Sequence, residues 1–138
     1  MTEYEIADLF VSWGTYQELF LERFIYLLFA FIIAGHFVAA KLKPALLWII
    51  VVLYSYMALR YILVYSNVID DQIALADLIR QSQEQPNSGL NWLRIDVSLS
   101  TILYSQAIAM FISYVASLVF FFYSRKVNTP ENVDSPFA

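Results

Sequence analysis

Residues 44–65 read PALLWIIVVLYSYMALRYILVY, a run of 22 residues that contains a single charge, Arg60. An α-helix rises 1.5 Å per residue, so about 20 apolar residues cross the roughly 30 Å hydrocarbon core of a bilayer. The run is therefore long enough to span a membrane. A charged side chain inside such a segment costs about 2.5–3.5 kcal/mol on insertion scales, so Arg60 must extend to the interface, pair with another charge or face water.

The composition of the whole chain is that of a membrane protein. Of its 138 residues, 60% are hydrophobic and 14% are charged, whereas soluble domains carry about 25% charged residues. The net charge of −4 excludes nucleic acid as an expected partner, because phosphate binding needs a basic surface. The opening residues MTEYEIADLF are acidic, unlike the start of a cleavable signal peptide, so we expect the first span to stay in the mature protein.

Two further apolar runs predict two further spans. Residues 19–40 carry charges only near their start, at Glu22 and Arg23, and residues 97–124 carry none. The connection to the second run is very short, and Pro44 suits the first turn of a helix, so the first two spans should form an antiparallel hairpin. The predicted fold is an all-α membrane protein with three transmembrane helices, at about 19–40, 44–65 and 97–124 within a domain of residues 18–126.

The segments outside these spans predict short interfacial helices and a tail. Apolar residues recur at helical spacing in residues 1–17 and again in the first part of the loop 66–96, which is typical of amphipathic helices that lie on a membrane surface. Pro86-Asn87-Ser88-Gly89 should end the second of these helices. Residues 127–138 contain two prolines and are predicted to be a disordered tail.

The position of Arg60 favours the rim of the membrane over its middle. Counted from Pro44, Arg60 lies about 24 Å along its helix. Its long side chain can reach the interface, or it can pair with Glu22, which enters the first span from the same side at a similar depth. A third hypothesis is that the rim binds an ion or a lipid headgroup. The charged and tyrosine residues of the rim are Glu18, Glu22, Arg23, Arg60, Tyr61, Tyr65, Asp70, Asp71, Arg94 and Asp96.

Four small residues of the third span, Ser105, Ala109, Ser113 and Ser117, follow one another at intervals of four. Small residues at this spacing let membrane helices approach closely, so we interpret them as a helix-packing stripe. A polar stripe that lines a pore has the same spacing and is the alternative.

Nothing in the sequence indicates catalysis. The chain has no cysteine and one histidine, His36, for which a structural role is the simpler interpretation. Adjacent carboxylates such as Asp70 and Asp71 point in different directions on a helix, which disfavours a metal site. No nucleophile, phosphate-loop or zinc motif is present. We therefore predict no catalytic, cofactor-binding or metal-binding residues, and no enzymatic activity.

Basic residues predict the orientation of the bundle. With Arg23 and Arg60 set aside as parts of spans, four basic residues lie on the side of the 41–43 turn and the C-terminus, and two lie on the other side. The positive-inside rule then predicts an N-out, C-in protein of a bacterial inner (plasma) membrane. The favoured function is a non-enzymatic accessory or scaffold subunit of a membrane complex, with a membrane protein partner or a second copy as partner. A homo-oligomeric channel or small transporter is the alternative.

Overall fold

A computed structural model describes residues 2–93 and 98–128 as a bundle of three long α-helices. The helices are α1, Glu3–Phe37; α2, Pro44–Gln83; and α3, Leu99–Val127, with a short 3-10 turn, Ala39–Lys41, between α1 and α2. Each helix is long and apolar enough to cross a membrane. The predicted fold class, an all-α membrane protein with three spanning helices, is confirmed. The predicted tail lies largely at residues 129–138, outside the described residues.

The amphipathic segments are not separate helices, which corrects the prediction of short interfacial helices. Residues 3–17 are the first turns of α1, and residues 66–83 are the last turns of α2. The reason is the absence of a helix breaker: after Pro44, the next proline is Pro86, and a change from apolar to polar side chains does not interrupt backbone hydrogen bonding. At 35 and 40 residues, α1 and α2 are about 52 and 60 Å long, far more than a bilayer core requires.

The start of each of the first two helices has a local cause in the sequence. Thr2 and Glu5 form a capping box, in which the Thr2 hydroxyl accepts from the Glu5 backbone N–H and the Glu5 carboxylate accepts from the Thr2 backbone N–H. Pro44 occupies the first turn of α2, as predicted. The chain turns back between α1 and α2 within residues 38–43, so the two helices are antiparallel neighbours.

A stack of three aromatic rings joins the three helices. The Phe31 ring of α1 lies 3.7 Å from the Tyr54 ring of α2 and 4.6 Å from the Phe121 ring of α3, centroid to centroid, and both pairs are nearly parallel. Each ring is at most 4% exposed. Gly35, one turn after Phe31, packs closely against α3, because a Cβ atom there would lie 3.0 Å from Cδ2 of Phe121.

Most of the remaining apolar surface points away from the bundle. In the most apolar stretch of each helix, only 17% to 28% of the residues are buried. A soluble bundle would bury the apolar side of each helix and expose a polar side. Large exposed side chains such as Trp48, Val52 and Ile112 instead cover the outside, as expected of helices whose outer faces contact lipid.

The two glycines of α1 give a matched test of the close approach between α1 and α3. Gly35→Ala should lower the melting temperature of the protein in detergent, because the new methyl group meets a ring that is fully buried and stacked on Phe31. Gly14→Ala should leave it unchanged or raise it, since the nearest atom would be 3.6 Å away and alanine favours a helix by about 0.5–1 kcal/mol. Equal effects of the two substitutions would show that α3 does not pack on Gly35.

Candidate functional site

The helices α1 and α2 extend together well beyond the predicted spans at the end opposite the turn. From Tyr65 to Gln83, α2 rises about 27 Å, and from Glu18 back to Glu3, α1 rises about 22 Å. We call this region, residues 2–18 and 66–93, the projecting end. It is strongly acidic, with eight Asp or Glu side chains and one arginine, Arg80.

The projecting end has its own small core and hydrogen bonds. Ala7, Ile79 and Leu90 are buried together there. The Glu3 carboxylate accepts hydrogen bonds from the Ser82 hydroxyl at 2.6 Å and from the Gly89 backbone N–H at 3.1 Å. These bonds hold the segment after α2 against the first turn of α1.

The carboxylate of Glu3 is charged at neutral pH. Its pKa is lowered, first by the Ser82 hydrogen bond and then by the Gly89 hydrogen bond. A lowered folded-state pKa contributes stability that is present above the unfolded pKa and is lost as the pH falls through the folded value. The contact between α1 and the segment after α2 is therefore intact at neutral pH.

Two glutamines lie in the interior between the rim and this small core. Gln17 of α1 is 4% exposed and Gln72 of α2 is 5% exposed. Within the described residues, Nε2 of Gln17 and Oε1 of Gln72 have no hydrogen-bond partner. Sequence reasoning missed both residues, because glutamine is ordinarily exposed and neither belongs to a motif.

An apolar groove of about 360 Å³ lies on the outside of the projecting end, between α1 and α2. Leu9 and Leu78 on its walls are 38% and 45% exposed. Leu75, at its base, is about 15 Å beyond Tyr65 along α2, so the groove is outside the predicted hydrocarbon core. The lining side chains are Leu9, Trp13, Asp71, Ala74, Leu75 and Leu78.

The structure does not bring the predicted rim pair together. Arg60 and Glu22 are both exposed, and among the described residues neither belongs to an ion pair. The Glu22 carboxylate instead accepts a hydrogen bond from the Tyr26 hydroxyl, 2.7 Å away on the same helix. The hypothesis of a Glu22–Arg60 ion pair therefore has no support in this geometry, and extension of Arg60 to the interface is the interpretation that fits it.

Tyrosine hydrogen bonds join α2 to α3 near the rim. The Tyr65 hydroxyl donates to Oε1 of Gln106, and the Tyr104 hydroxyl donates to the Asp70 carboxylate at 2.7 Å. Tyr65 is 1% exposed, so its contact is an interior one. Two members of the predicted rim cluster, Arg94 and Asp96, lie outside the described residues.

The four small residues of α3 do not share one face. Ser105 and Ala109 are exposed, Ser113 is half-buried and Ser117 is 2% exposed. Four residues turn a helix by about 400°, so each step drifts by about 40° and the stripe winds through about 120°. Its last member is the one that is buried: Ser117 Oγ lies 2.6 Å from the Tyr54 hydroxyl and donates to the Tyr114 carbonyl.

The lone histidine lies at the turn end of the bundle. His36 is exposed, and its ring contacts the edge of the Phe37 ring at a centroid distance of 4.8 Å. Within residues 2–93 and 98–128, no three His, Asp or Glu side chains are grouped so that they would hold a metal ion.

Comparisons with known proteins give no relative. No family model, curated protein or solved structure matches the chain.

Two serines of α3 test which end of the stripe packs. Ser117→Ala should lower the free energy of unfolding by about 1–3 kcal/mol, because it leaves the buried Tyr54 hydroxyl without its partner. Ser105→Ala should change it by less than about 0.5 kcal/mol, since that hydroxyl is exposed and bonds only its own helix. Unfolding in detergent measures both, and a larger loss for Ser105→Ala would contradict the assigned rotation of α3.

A double-mutant cycle tests the rim. Arg60→Gln and Glu22→Gln should be additive to within about 0.5 kcal/mol in unfolding free energy, because the two side chains make no contact. The cycle of Tyr26→Phe with Glu22→Gln is the positive control, since a 2.7 Å hydrogen bond joins that pair. A coupling of Arg60 with Glu22 above about 1 kcal/mol would show that the ion pair forms in solution.

Proposed function

We propose that this small membrane protein is a non-enzymatic accessory or scaffold subunit that presents its projecting end to a partner protein. The observation that carries the proposal is the apolar groove of Leu9, Trp13 and Leu78 outside the predicted hydrocarbon core. Apolar surface within the bilayer is covered by lipid, but at this height it meets water or headgroups. A grouped apolar surface with a polar surround in that environment is typical of a protein contact site.

The charge around the groove indicates the chemistry of the partner. Asp71 lies on the groove, and the projecting end carries an excess of seven negative charges. A complementary surface is an apolar ridge flanked by lysine or arginine, because opposite charges speed encounter and disfavour wrong partners. The same surface repels a second copy of this end, which favours a different protein over self-association through the groove.

The projecting end is also built to keep its shape. Its helices are uninterrupted continuations of the two long helices α1 and α2. Hydrogen bonds from Ser82 and Gly89 to the Glu3 carboxylate hold the segment after α2 against α1. Gln83 donates through Nε2 to the backbone carbonyls of Leu90 and Leu93, at 2.8 and 2.7 Å. A surface held in this way loses little conformational entropy when a partner binds.

The alternative of a homo-oligomeric channel has less support. A pore lined by Ser105, Ser113 and Ser117 needs all three hydroxyls on one face, whereas Ser117 is buried against Tyr54 and Ser105 is exposed about 120° away. The pore-lining interpretation of the stripe therefore conflicts with the rotation of α3.

For location, the proposal is a bacterial inner membrane with the projecting end outside and the turn inside. Lys41 and Lys43 lie in the turn, and Arg125 and Lys126 lie in the last turn of α3, which packs beside it. Four of the eight basic residues thus lie at this end of the bundle, whereas the projecting end carries eight acidic residues and one arginine, a distribution that supports this orientation under the positive-inside rule.

Site-specific photocrosslinking in native membranes tests the proposal. A photoreactive side chain at Leu78 or Leu9 should crosslink to one protein other than this chain, whereas Tyr4, 80% exposed on the same end, should not give that product. Leu78→Glu should abolish the product because it places a charge in the groove. Gln81→Glu adds the same charge at an exposed position three residues away and should preserve it.

Two outcomes would overturn the proposal. Products that join only copies of this chain would indicate a homo-oligomer, and products with lipid alone would show that the projecting end lies in the membrane surface.

A further inference from the structure

A groove of about 270 Å³ follows the seam between α1 and α2 at the rim of the apolar core. It lies where Phe20 of α1 meets Tyr61 of α2, with ring centroids 6.3 Å apart. Its charged members are two arginines, one from each helix. The lining side chains are Phe20, Arg23, Met57, Arg60, Tyr61 and Val64.

Both arginines lack a protein partner within the described residues. Arg23 and Arg60 are exposed, and neither makes an ion pair or a hydrogen bond there. Two cations that share a groove at the edge of a low-dielectric region repel each other, and an anion between them adds two attractions that offset this repulsion. The planar guanidinium group matches phosphate oxygens in geometry as well as charge.

An apolar path continues from Arg60 along the outward face of α2. On the other side of Arg60 lies a groove of about 350 Å³ that includes Tyr56, Leu59 and Leu63. A third groove of about 520 Å³ includes Tyr56 again, together with Leu53. Because Arg60 borders the first two grooves and Tyr56 borders the last two, the three follow one another along the outward face of α2.

The length of the path matches one leaflet of a bilayer. Half of a hydrocarbon core of about 30 Å is about 15 Å, which is the rise of ten helical residues. The ten helical steps from Leu63 to Leu53 lie along these grooves. A chain whose headgroup lies at the arginines and that follows the grooves therefore reaches the midplane.

We propose that an anionic phospholipid binds this face of the protein, with its phosphate held by Arg23 and Arg60 and one acyl chain lying along Leu63, Tyr56 and Leu53. The apolar continuation favours a lipid over free phosphate, and the two positive charges, unpaired among the described residues, favour an anionic over a zwitterionic headgroup. The site is independent of the proposed partner surface, because it uses the membrane-facing side of α2 and not the projecting end.

Lipid titration of the delipidated protein in a neutral detergent tests this site. Native mass spectrometry should show phosphatidylglycerol bound about tenfold or more tightly than phosphatidylcholine, because the choline cation offsets the attraction between the phosphate and the two arginines. The double variant Arg23→Gln, Arg60→Gln should lose this preference. The control Lys41→Gln, Lys43→Gln removes the same charge at the other end of the bundle and should keep it.

A further variant separates the lipid from a free anion. Leu59→Trp leaves both arginines in place and fills the apolar groove, so it should weaken phosphatidylglycerol binding. Stabilisation by inorganic phosphate equal to that by phosphatidylglycerol would identify a free-anion site and overturn the proposal. Retention of the preference in the double arginine variant, equal binding of both lipids by the unmodified protein, or a dimer that covers the groove would overturn it as well.

If the double variant loses its helical circular dichroism, the conservative change Arg60→Lys replaces it in this test. It keeps the charge but not the planar fork, so it should weaken the preference without abolishing it. An unchanged preference in Arg60→Lys, together with an unchanged phosphatidylglycerol affinity in Leu59→Trp, would overturn the proposal.

Discussion

The stacking of Phe31 between Tyr54 and Phe121 is the contact on which the rest of the arrangement depends. In a bilayer, apolar helix faces are already surrounded by lipid, so packing them together removes no apolar surface from water. Helix association therefore relies on close packing and interhelical hydrogen bonds. This site supplies both, because one ring comes from each helix and the Tyr54 hydroxyl also bonds Ser117. The stack fixes the rotation of each helix about its own axis and thereby decides which residues face outward.

That rotation explains why Glu22 and Arg60 make no ion pair with each other in this structure. The depth of a residue follows from 1.5 Å of rise per position, but its direction follows from 100° of turn. Phe20 faces Tyr61 on α2; Glu22, two positions later, is turned about 200° away. Arg23, three positions later, returns to within about 60° of Phe20. The charged residue of α1 that shares a groove with Arg60 is therefore Arg23 and not Glu22.

The parts of the structure that the sequence predicts are those governed by length and composition. The three spans and the α1–α2 hairpin follow from apolar runs and from the short connection at Pro44. The continuity of α2 past Tyr65 does not follow, because hydropathy marks where a helix leaves lipid and not where its hydrogen bonding ends. The direction of the stripe from Ser105 to Ser117 does not follow for a related reason: equal spacing in sequence is not a constant direction when each step drifts by about 40°. Gln17 and Gln72 carry no pattern at all, and only packing reveals that they are buried.

The unburied apolar surface divides into two classes according to height along α2. From Trp48 to Val64 the exposed side chains lie in the predicted hydrocarbon core, where lipid is the expected contact. The arginines are the charged side chains on this surface. Beyond Tyr65 the same helix again exposes leucine, at Leu78, but among carboxylates and above the depth at which lipid chains reach it. A helix that ended at the membrane surface would carry neither the exposed Leu78 nor the carboxylates around it. The continuation of α2 by about 27 Å beyond Tyr65 is thus the surface that we propose for a protein partner with basic and apolar side chains.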